Sequence, residues 1–257
     1  MKSPLLPVLL FLLAPCLLQR LPGQIVNIED RRSSPADTNR LSLQVDLAFN
    51  LVQNTKTVLN LGTAARFDWQ HGKGTLLLLP NFQFVRVDEQ RFVNRGFLHL
   101  RHTWKSAGAA APEVFSQFQF DEQVRIQQRE LAGAGLRLRL LDDGQSRAFL
   151  GAAYMFEYNE IRDTSLIYRD HRLSSYLAFR WQPAEPLALS GTVYFQPLWK
   201  DFGDFRLSSQ LRLLLHISSR LDFKVSFALV QDSRLKRDAP GVPAATYSLQ
   251  NGLRWTF

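Results

Sequence analysis

The chain ends on the stretch that decides its fold, Tyr247-Ser248-Leu249-Gln250-Asn251-Gly252-Leu253-Arg254-Trp255-Thr256-Phe257. Apolar and polar residues alternate along it, which indicates a strand with one face in an apolar medium and the other in water. A strand that runs to the end of a chain is an exposed edge unless it pairs with a first strand. We therefore predict a sheet that closes into a barrel.

The same ending resembles the C-terminal signal of bacterial outer-membrane barrels, which finish on an aromatic residue with apolar residues at alternate positions before it. Asn251 departs from this pattern, since an amide facing lipid is costly. Taken alone, the alternation also fits a strand of a soluble β-sandwich or ligand-binding protein. On the membrane reading, barrel-assembly machinery binds the C-terminal assembly signal, which consists of Tyr247, Leu249, Leu253, Trp255 and Phe257.

The alternation repeats over twelve segments from Arg40 onwards. Most segments are about ten residues or longer, whereas strands of soluble proteins usually have about five or six. We predict an all-β fold, a closed up-and-down antiparallel transmembrane β-barrel of about twelve strands over residues 40–257. An even strand number places both termini on one side, the periplasm. The connections at 86–94, 161–170 and 231–245 are then extracellular and longer than most turns at the opposite rim.

Tryptophan placement supports the membrane reading. Four indoles face outward near the same end of even-numbered strands, as in the aromatic girdles at membrane interfaces. A soluble sandwich has no reason for this arrangement. The predicted periplasmic girdle consists of Trp69, Trp104, Trp181 and Trp255.

The N-terminus predicts export. Residues 1–24 have a short positive start, an apolar core and a plausible cleavage region, which is typical of a secretory signal peptide. Residues 25–39 are read as a short periplasmic arm. The one cysteine, Cys16, is lost with the signal, so no disulfide is expected. After the signal, no run approaches the roughly 18 apolar residues of a spanning helix, so insertion into the outer membrane must use strands.

Two neighbouring strands carry a family resemblance. Phe115-Ser116-Gln117-Phe118-Gln119-Phe120-Asp121 and Leu131-Ala132-Gly133-Ala134-Gly135-Leu136-Arg137-Leu138 resemble the central signature of the family named domain of unknown function 481. Its members are described as salt-induced outer-membrane proteins. The resemblance implies an outer-membrane barrel and a role in the envelope under salt or osmotic stress. It supplies no catalytic residues.

The predicted interior is basic. Inward acids are few, namely Asp46, Asp68, Glu157 and Asp222. A focused positive potential would admit small anionic solutes and give a narrow anion-preferring channel. Alternatively, the guanidinium groups pair with acids and fill a closed lumen, because a barrel of about twelve strands can be open or filled. The lumen basic cluster consists of Arg66, Arg101, Arg137, Arg139, Arg180, Arg212 and Arg254.

Charges at the loops offer another role. Acidic residues such as Asp88 and Asp204 could bind divalent ions that bridge lipopolysaccharide, and basic residues such as Arg234, Lys236 and Arg237 could meet its phosphates. Outer-membrane lipid and lipopolysaccharide are therefore expected partners. Rim charges more often only keep loops hydrated. The net charge of +8 does not indicate nucleic acid, because an exported membrane protein does not meet it.

Enzyme motifs are weak. His216 and Ser218 have the His-x-Ser spacing of outer-membrane lipid hydrolases, in which histidine activates serine, but they fall at the periplasmic rim. Asp170 and His171 are adjacent, so in a strand they point to opposite faces. The five histidines show no zinc-ligand spacing, and no glycine-rich phosphate loop is present. We predict no enzyme activity, no cofactor and no metal, with a lipid hydrolase as the alternative.

Overall fold

The computed structural model describes residues 39–255, apart from the side chain of Lys236. The predicted signal peptide (1–24), all but one residue of the predicted arm (25–39), and Phe257 of the assembly signal lie outside the described residues.

Twelve antiparallel strands form one up-and-down sheet in chain order, as predicted. One short helix, α1 (Leu235–Asp238), lies between the last two strands. No helix within residues 39–255 combines the length and apolarity needed to cross a membrane. The strands are β1 (Arg40–Gln53), β2 (Thr57–His71), β3 (Gly74–Val87), β4 (Gln90–Trp104), β5 (Ala110–Asp121), β6 (Ile126–Asp142), β7 (Ser146–Ile161), β8 (Ile167–Ala184), β9 (Leu187–Leu198), β10 (Asp201–Ser218), β11 (Leu221–Asp232) and β12 (Ala245–Trp255).

The two faces of the sheet have opposite polarity. Side chains such as Leu47 and Phe49 are 77% and 71% exposed, whereas Glu157 and Arg172 are fully buried. Polar residues of strands that are not neighbours meet on the buried face: Tyr176 of β8 donates a hydrogen bond to Glu113 of β5 at 3.1 Å. The sheet is therefore curled with its polar face inside, and the predicted orientation of the apolar face, outward, is confirmed.

The prediction of a closed barrel is wrong for this structure. The sheet begins at β1 and ends at β12, with no ladder between these two strands in the described chain. Both edges are poorly buried: in β1 only Ser42 is half-buried, and the second half of β12 is exposed on both faces. The side-chain contacts that cross the interior, described below, join strands from β5 to β10. They curl the middle of the sheet without drawing its edges together, so the molecule is an open barrel.

The two rims differ in their connections. We call the rim where β1 begins and β12 ends the proximal rim, and the opposite one the distal rim. The longest connection, residues 233–244, is distal, as predicted. The long connection predicted at 86–94 is wrong, because β3 continues to Val87 and β4 begins at Gln90. Asp88 adopts a positive φ of 53° and accepts a hydrogen bond from the Thr57 backbone N–H at 2.8 Å, so β2 fixes a tight turn here.

Aromatic rings fill the interior where glycines leave space. A Cβ atom on Gly151 would lie 1.9 Å from the ring of Tyr176, and one on Gly133 would lie 2.4 Å from the ring of Phe115. Each ring covers a strand position that has no side chain, which stabilises a glycine within a sheet. Apolar side chains therefore occupy part of the interior and narrow it. The buried apolar residues include Leu77, Leu79, Leu131, Met155 and Tyr194.

Candidate functional site

The interior is crossed in its distal half by a compact group of charges. Glu157 of β7 is fully buried and accepts two hydrogen bonds from Arg206 of β10, one of them from Nη2 to Oε1 at 2.7 Å. Nε of Arg172 on β8 lies 3.4 Å from Oε2, and Nε of Arg129 on β6 lies 3.7 Å from Oε1. One carboxylate thus lies among three guanidinium groups from three strands.

Further acceptors complete this group. Arg206 also donates from Nε to Asp232 of β11 at 2.7 Å. Arg172 donates from Nη2 to Asp204 at 2.8 Å and from Nη1 to the Gln196 carbonyl oxygen at 3.1 Å. A buried charge is tolerated only when it is paired and hydrogen-bonded, so these contacts hold the strands at fixed positions. We call Arg129, Glu157, Arg172, Arg206 and Asp232 the charged layer.

The β11–β12 connection folds over the charged layer. Arg234 is buried there and donates from Nη1 to Asp170 at 2.5 Å and from Nε to Asp204, and its guanidinium lies 4.3 Å from the centre of the Tyr168 ring. Burial opposes its charge, but these two carboxylates raise the pKa of Arg234 above its ordinary value. Ala239 is 1% exposed. We call residues 233–244 the cover segment, because they close the distal mouth.

A second buried group lies on the proximal side of the layer. Arg101 donates from Nη1 to Oε1 of Glu113 at 2.7 Å, and Tyr176 donates to the same oxygen. Arg137 donates from Nη1 to the Tyr176 hydroxyl at 2.9 Å and lies 3.9 Å from the centre of the Phe149 ring. These contacts join β4, β5, β6, β7 and β8 across the interior.

Little space remains between these two groups. The cavity there is lined by side chains of β4 to β10, including Arg101, Met155, Tyr194 and Arg206, and has a volume of about 20 Å³. A void of this size holds about one water molecule. The space between the two groups is therefore too small for a solute larger than water.

The buried charges nearly balance. Among residues 39–255, the buried carboxylates include Asp68, Glu113 and Asp121 besides those of the charged layer and the cover segment. The predicted excess of arginine over acid concerned all inward positions, and within the buried part of the interior the two charges are close to equal in number. The full buried set comprises five arginines, Arg101, Arg129, Arg172, Arg206 and Arg234, and six carboxylates, Asp68, Glu113, Asp121, Glu157, Asp232 and Asp238.

The seven arginines of the predicted lumen basic cluster are spread over six strands, β2, β4, β6, β8, β10 and β12. Four of them have close polar partners: Arg66 pairs with Asp68, Arg101 with Glu113, Arg137 with Tyr176, and Arg254 with Asp222. Arg139, Arg180 and Arg212 are exposed. Arg180 donates to Gln182 at 3.4 Å, within its own strand. The exposed members of the predicted cluster therefore all lie in the proximal half.

Sequence reasoning missed several acids of the interior. Glu113 and Asp121 continue the alternation of Gln117 and Gln119 on β5, so extending the same period by one step forward and two steps back would have found them. Asp170 and Asp204 were read as loop residues because the predicted strands began too late. No periodic signal marks Arg234, which lies between two strands. The reading of Arg234 and Asp204 as rim charges open to lipopolysaccharide or divalent ions is wrong, because they pair with each other.

The candidate catalytic pairs have other partners. His216 Nδ1 hydrogen-bonds to Asp222 Oδ1 at 2.6 Å, and the Ser218 hydroxyl accepts a hydrogen bond from the Arg220 backbone N–H at 3.3 Å. Asp170 points inward to Arg234, whereas His171 contacts Tyr154 on the outer face, as the alternation predicts. In the described part of the chain, no three histidine, cysteine or acidic side chains group as metal ligands would.

The four girdle tryptophans are exposed at the proximal ends of β2, β4, β8 and β12. The described residues of the assembly signal, Tyr247, Leu249, Leu253 and Trp255, are exposed along β12. The structure thus places both sets on the outer face, and the four tryptophans lie at the proximal ends of their strands.

Comparisons with known proteins identify a family but no activity. The chain is similar to a solved structure of the NanC porin in a rhombohedral crystal form, with 9% sequence identity and a TM-score of 0.45 over 77% of this chain and 94% of that chain. No curated protein matches it. The model of the family described as protein of unknown function, DUF481, matches residues 38–239. The chain therefore belongs to the DUF481 family.

Proposed function

We propose that this protein is a non-enzymatic, integral outer-membrane barrel protein whose interior is closed at rest and which reinforces the envelope under salt or osmotic stress. The polarity of the sheet carries the proposal: the large apolar side chains of its outer face are exposed, and the buried charged side chains lie on its inner face. This is the arrangement that lipid outside and polar contacts inside would select. Both termini then lie at the proximal rim, in the periplasm, and lipid and lipopolysaccharide surround the wall.

Membrane insertion is tested by a charge on the outer face. Leu136 is exposed near the middle of β6, and Leu141 is exposed near its proximal end. Arginine facing lipid costs about 2–4 kcal/mol at the bilayer midplane and about 0–1 near the interface. We expect Leu136→Arg to lower the yield of folded protein in the outer-membrane fraction far more than Leu141→Arg. This yield is measured by membrane fractionation followed by gel electrophoresis, in which a folded barrel protein migrates differently before and after heating.

Equal yields for the two variants, with the protein recovered in the soluble periplasmic fraction, would favour the soluble alternative. In water both positions are exposed surface, and an arginine at either one has little effect on stability.

A second candidate function is a narrow anion-preferring channel for small anionic solutes. It is favoured by the exposed arginines of the proximal half, Arg139, Arg180 and Arg212. The charged layer and the cover segment oppose conduction, since the cavity between the buried groups holds about one water molecule. We expect the purified protein in a planar bilayer to carry no steady current. A steady current with an anion-selective reversal potential under a salt gradient would favour the channel instead.

The absence of catalysis is part of the proposal. His216 lies at the proximal end of β10, whereas barrel lipid hydrolases act at the outer leaflet, on the other side of the membrane. The C-terminal strand, with its alternate apolar residues, is the expected contact for barrel-assembly machinery.

A further inference from the structure

Four aromatic rings form a continuous cluster on the outer face at the proximal rim. The ring centres of Trp69 and His71 on β2 are 5.0 Å apart, and those of His102 and Trp104 on β4 are 4.4 Å apart. The two imidazoles stack at 5.3 Å with an angle of 20° between their planes. We call these four residues the proximal aromatic patch.

The patch can form because β3 has no side chain at the point where it passes between β2 and β4. Strands β2 and β4 are not neighbours, and β3 passes between them with Gly74 opposite both His71 and Trp104. A Cβ atom on Gly74 would lie 2.4 Å from the Thr103 carbonyl oxygen and 3.2 Å from the His102 ring. Only a residue without a side chain lets the two histidines meet across the middle strand.

The charge around the patch is basic. Lys73 and Lys105 flank it, both exposed, and the Lys105 backbone N–H donates to the Lys73 carbonyl oxygen at 2.9 Å. The nearby carboxylates, Asp68 and Glu113, are buried on the inner face and paired with arginines. The other outward neighbours are apolar, namely Leu41, Leu76 and Val114. Two lysines and two imidazoles thus share this part of the wall, and neither Asp68 nor Glu113 faces outward there.

We propose that the proximal aromatic patch, with Lys73 and Lys105, binds the phosphate headgroup of an anionic phospholipid. Indole rings reside at the headgroup level of a bilayer, which sets the patch beside lipid phosphates. Each cationic side chain near such a surface strengthens binding about fivefold. This inference rests on the proposed membrane insertion and on the proximal rim facing the inner, phospholipid leaflet.

The experiment uses lipid-specific quenching of tryptophan fluorescence. The protein carries Trp181→Phe, Trp199→Phe and Trp255→Phe, so that Trp69 and Trp104 report alone, and it is inserted in phosphatidylcholine vesicles with a minor fraction of brominated lipid. Brominated phosphatidylglycerol is compared with brominated phosphatidylcholine. Each lysine near an anionic headgroup strengthens binding about fivefold, so we expect quenching to show a preference for phosphatidylglycerol of about fivefold or more.

Two sets of substitutions identify the residues. We expect Lys73→Gln with Lys105→Gln to abolish the preference for phosphatidylglycerol, and His71→Gln with His102→Gln, which removes two of the four rings, to weaken it. His171→Gln is the matched control, because it changes an outward histidine at the distal end of the wall, against Tyr154. Equal quenching by the two lipids, or an unchanged preference in the double lysine variant, would overturn the inference alone. Quenching by neither lipid would overturn the proposed membrane insertion with it.

Discussion

Replacing Glu157 with glutamine is expected to lower the free energy of unfolding by about 3–5 kcal/mol, the cost of leaving buried charge uncompensated. Glu157 is the carboxylate that Arg129, Arg172 and Arg206 share, and all three arginines are fully buried. A glutamine fits the same space but brings no negative charge and fewer acceptors. Urea unfolding of the protein in lipid vesicles, followed by tryptophan fluorescence, measures the change.

Glu130→Gln is the matched control for this prediction. Glu130 is an exposed carboxylate on β6 that accepts a hydrogen bond from Gln128 at 2.6 Å, so its replacement is expected to change stability by less than about 0.5 kcal/mol. Adding Arg129→Gln to Glu157→Gln removes one uncompensated cation. The free energy of unfolding is therefore expected to fall less in the double variant than the sum of its decreases in the two single variants. If Glu157→Gln unfolds like the control, the charged layer does not hold the interior together.

Replacing Arg234 with alanine is expected to release the cover segment from the distal mouth. Arg234 bridges Asp170 on β8 and Asp204 on β10, so its loss leaves two carboxylates at the rim with fewer partners. Breaking a buried ion pair costs about 3 kcal/mol or more, which corresponds to local opening about a hundredfold more frequent. Hydrogen–deuterium exchange of the amides of residues 233–244 reports this opening directly.

The matched control is Arg237→Ala, in helix α1 of the same cover segment. Its side chain is 66% exposed and pairs with Asp238 beside it, so its loss is expected to change exchange in the segment only slightly. Comparable exchange in the two variants would show that the segment is held by its apolar contacts alone. In either variant, the charged layer beneath the segment stays in place, and exchange in β7 and β8 is expected to stay slow.

Local alternation of apolar and polar residues predicted the strands well, but it did not predict which side chains pair across the interior. The period of two assigned Glu157, Arg137 and Tyr176 to the inner face, because that assignment needs only the neighbouring residues in the chain. It could not predict that Arg206 would reach Glu157, since the two residues are 49 positions apart and on strands that are not neighbours. Strand ends were also misjudged, as at Asp88, where a contact from β2 fixes the turn. The acids missed at those ends are the ones that neutralise the interior.

The order of the strands, their number and the polarity of the two faces were determined by the sequence itself, because each depends on an alternation that is complete within about ten residues. Only the tertiary structure decided that the interior is filled and nearly neutral, that the cover segment closes the distal mouth, and that the sheet remains open between β1 and β12. These properties depend on which side chains meet across the curled sheet. These side-chain contacts join residues far apart in the chain, so no local sequence pattern predicts them.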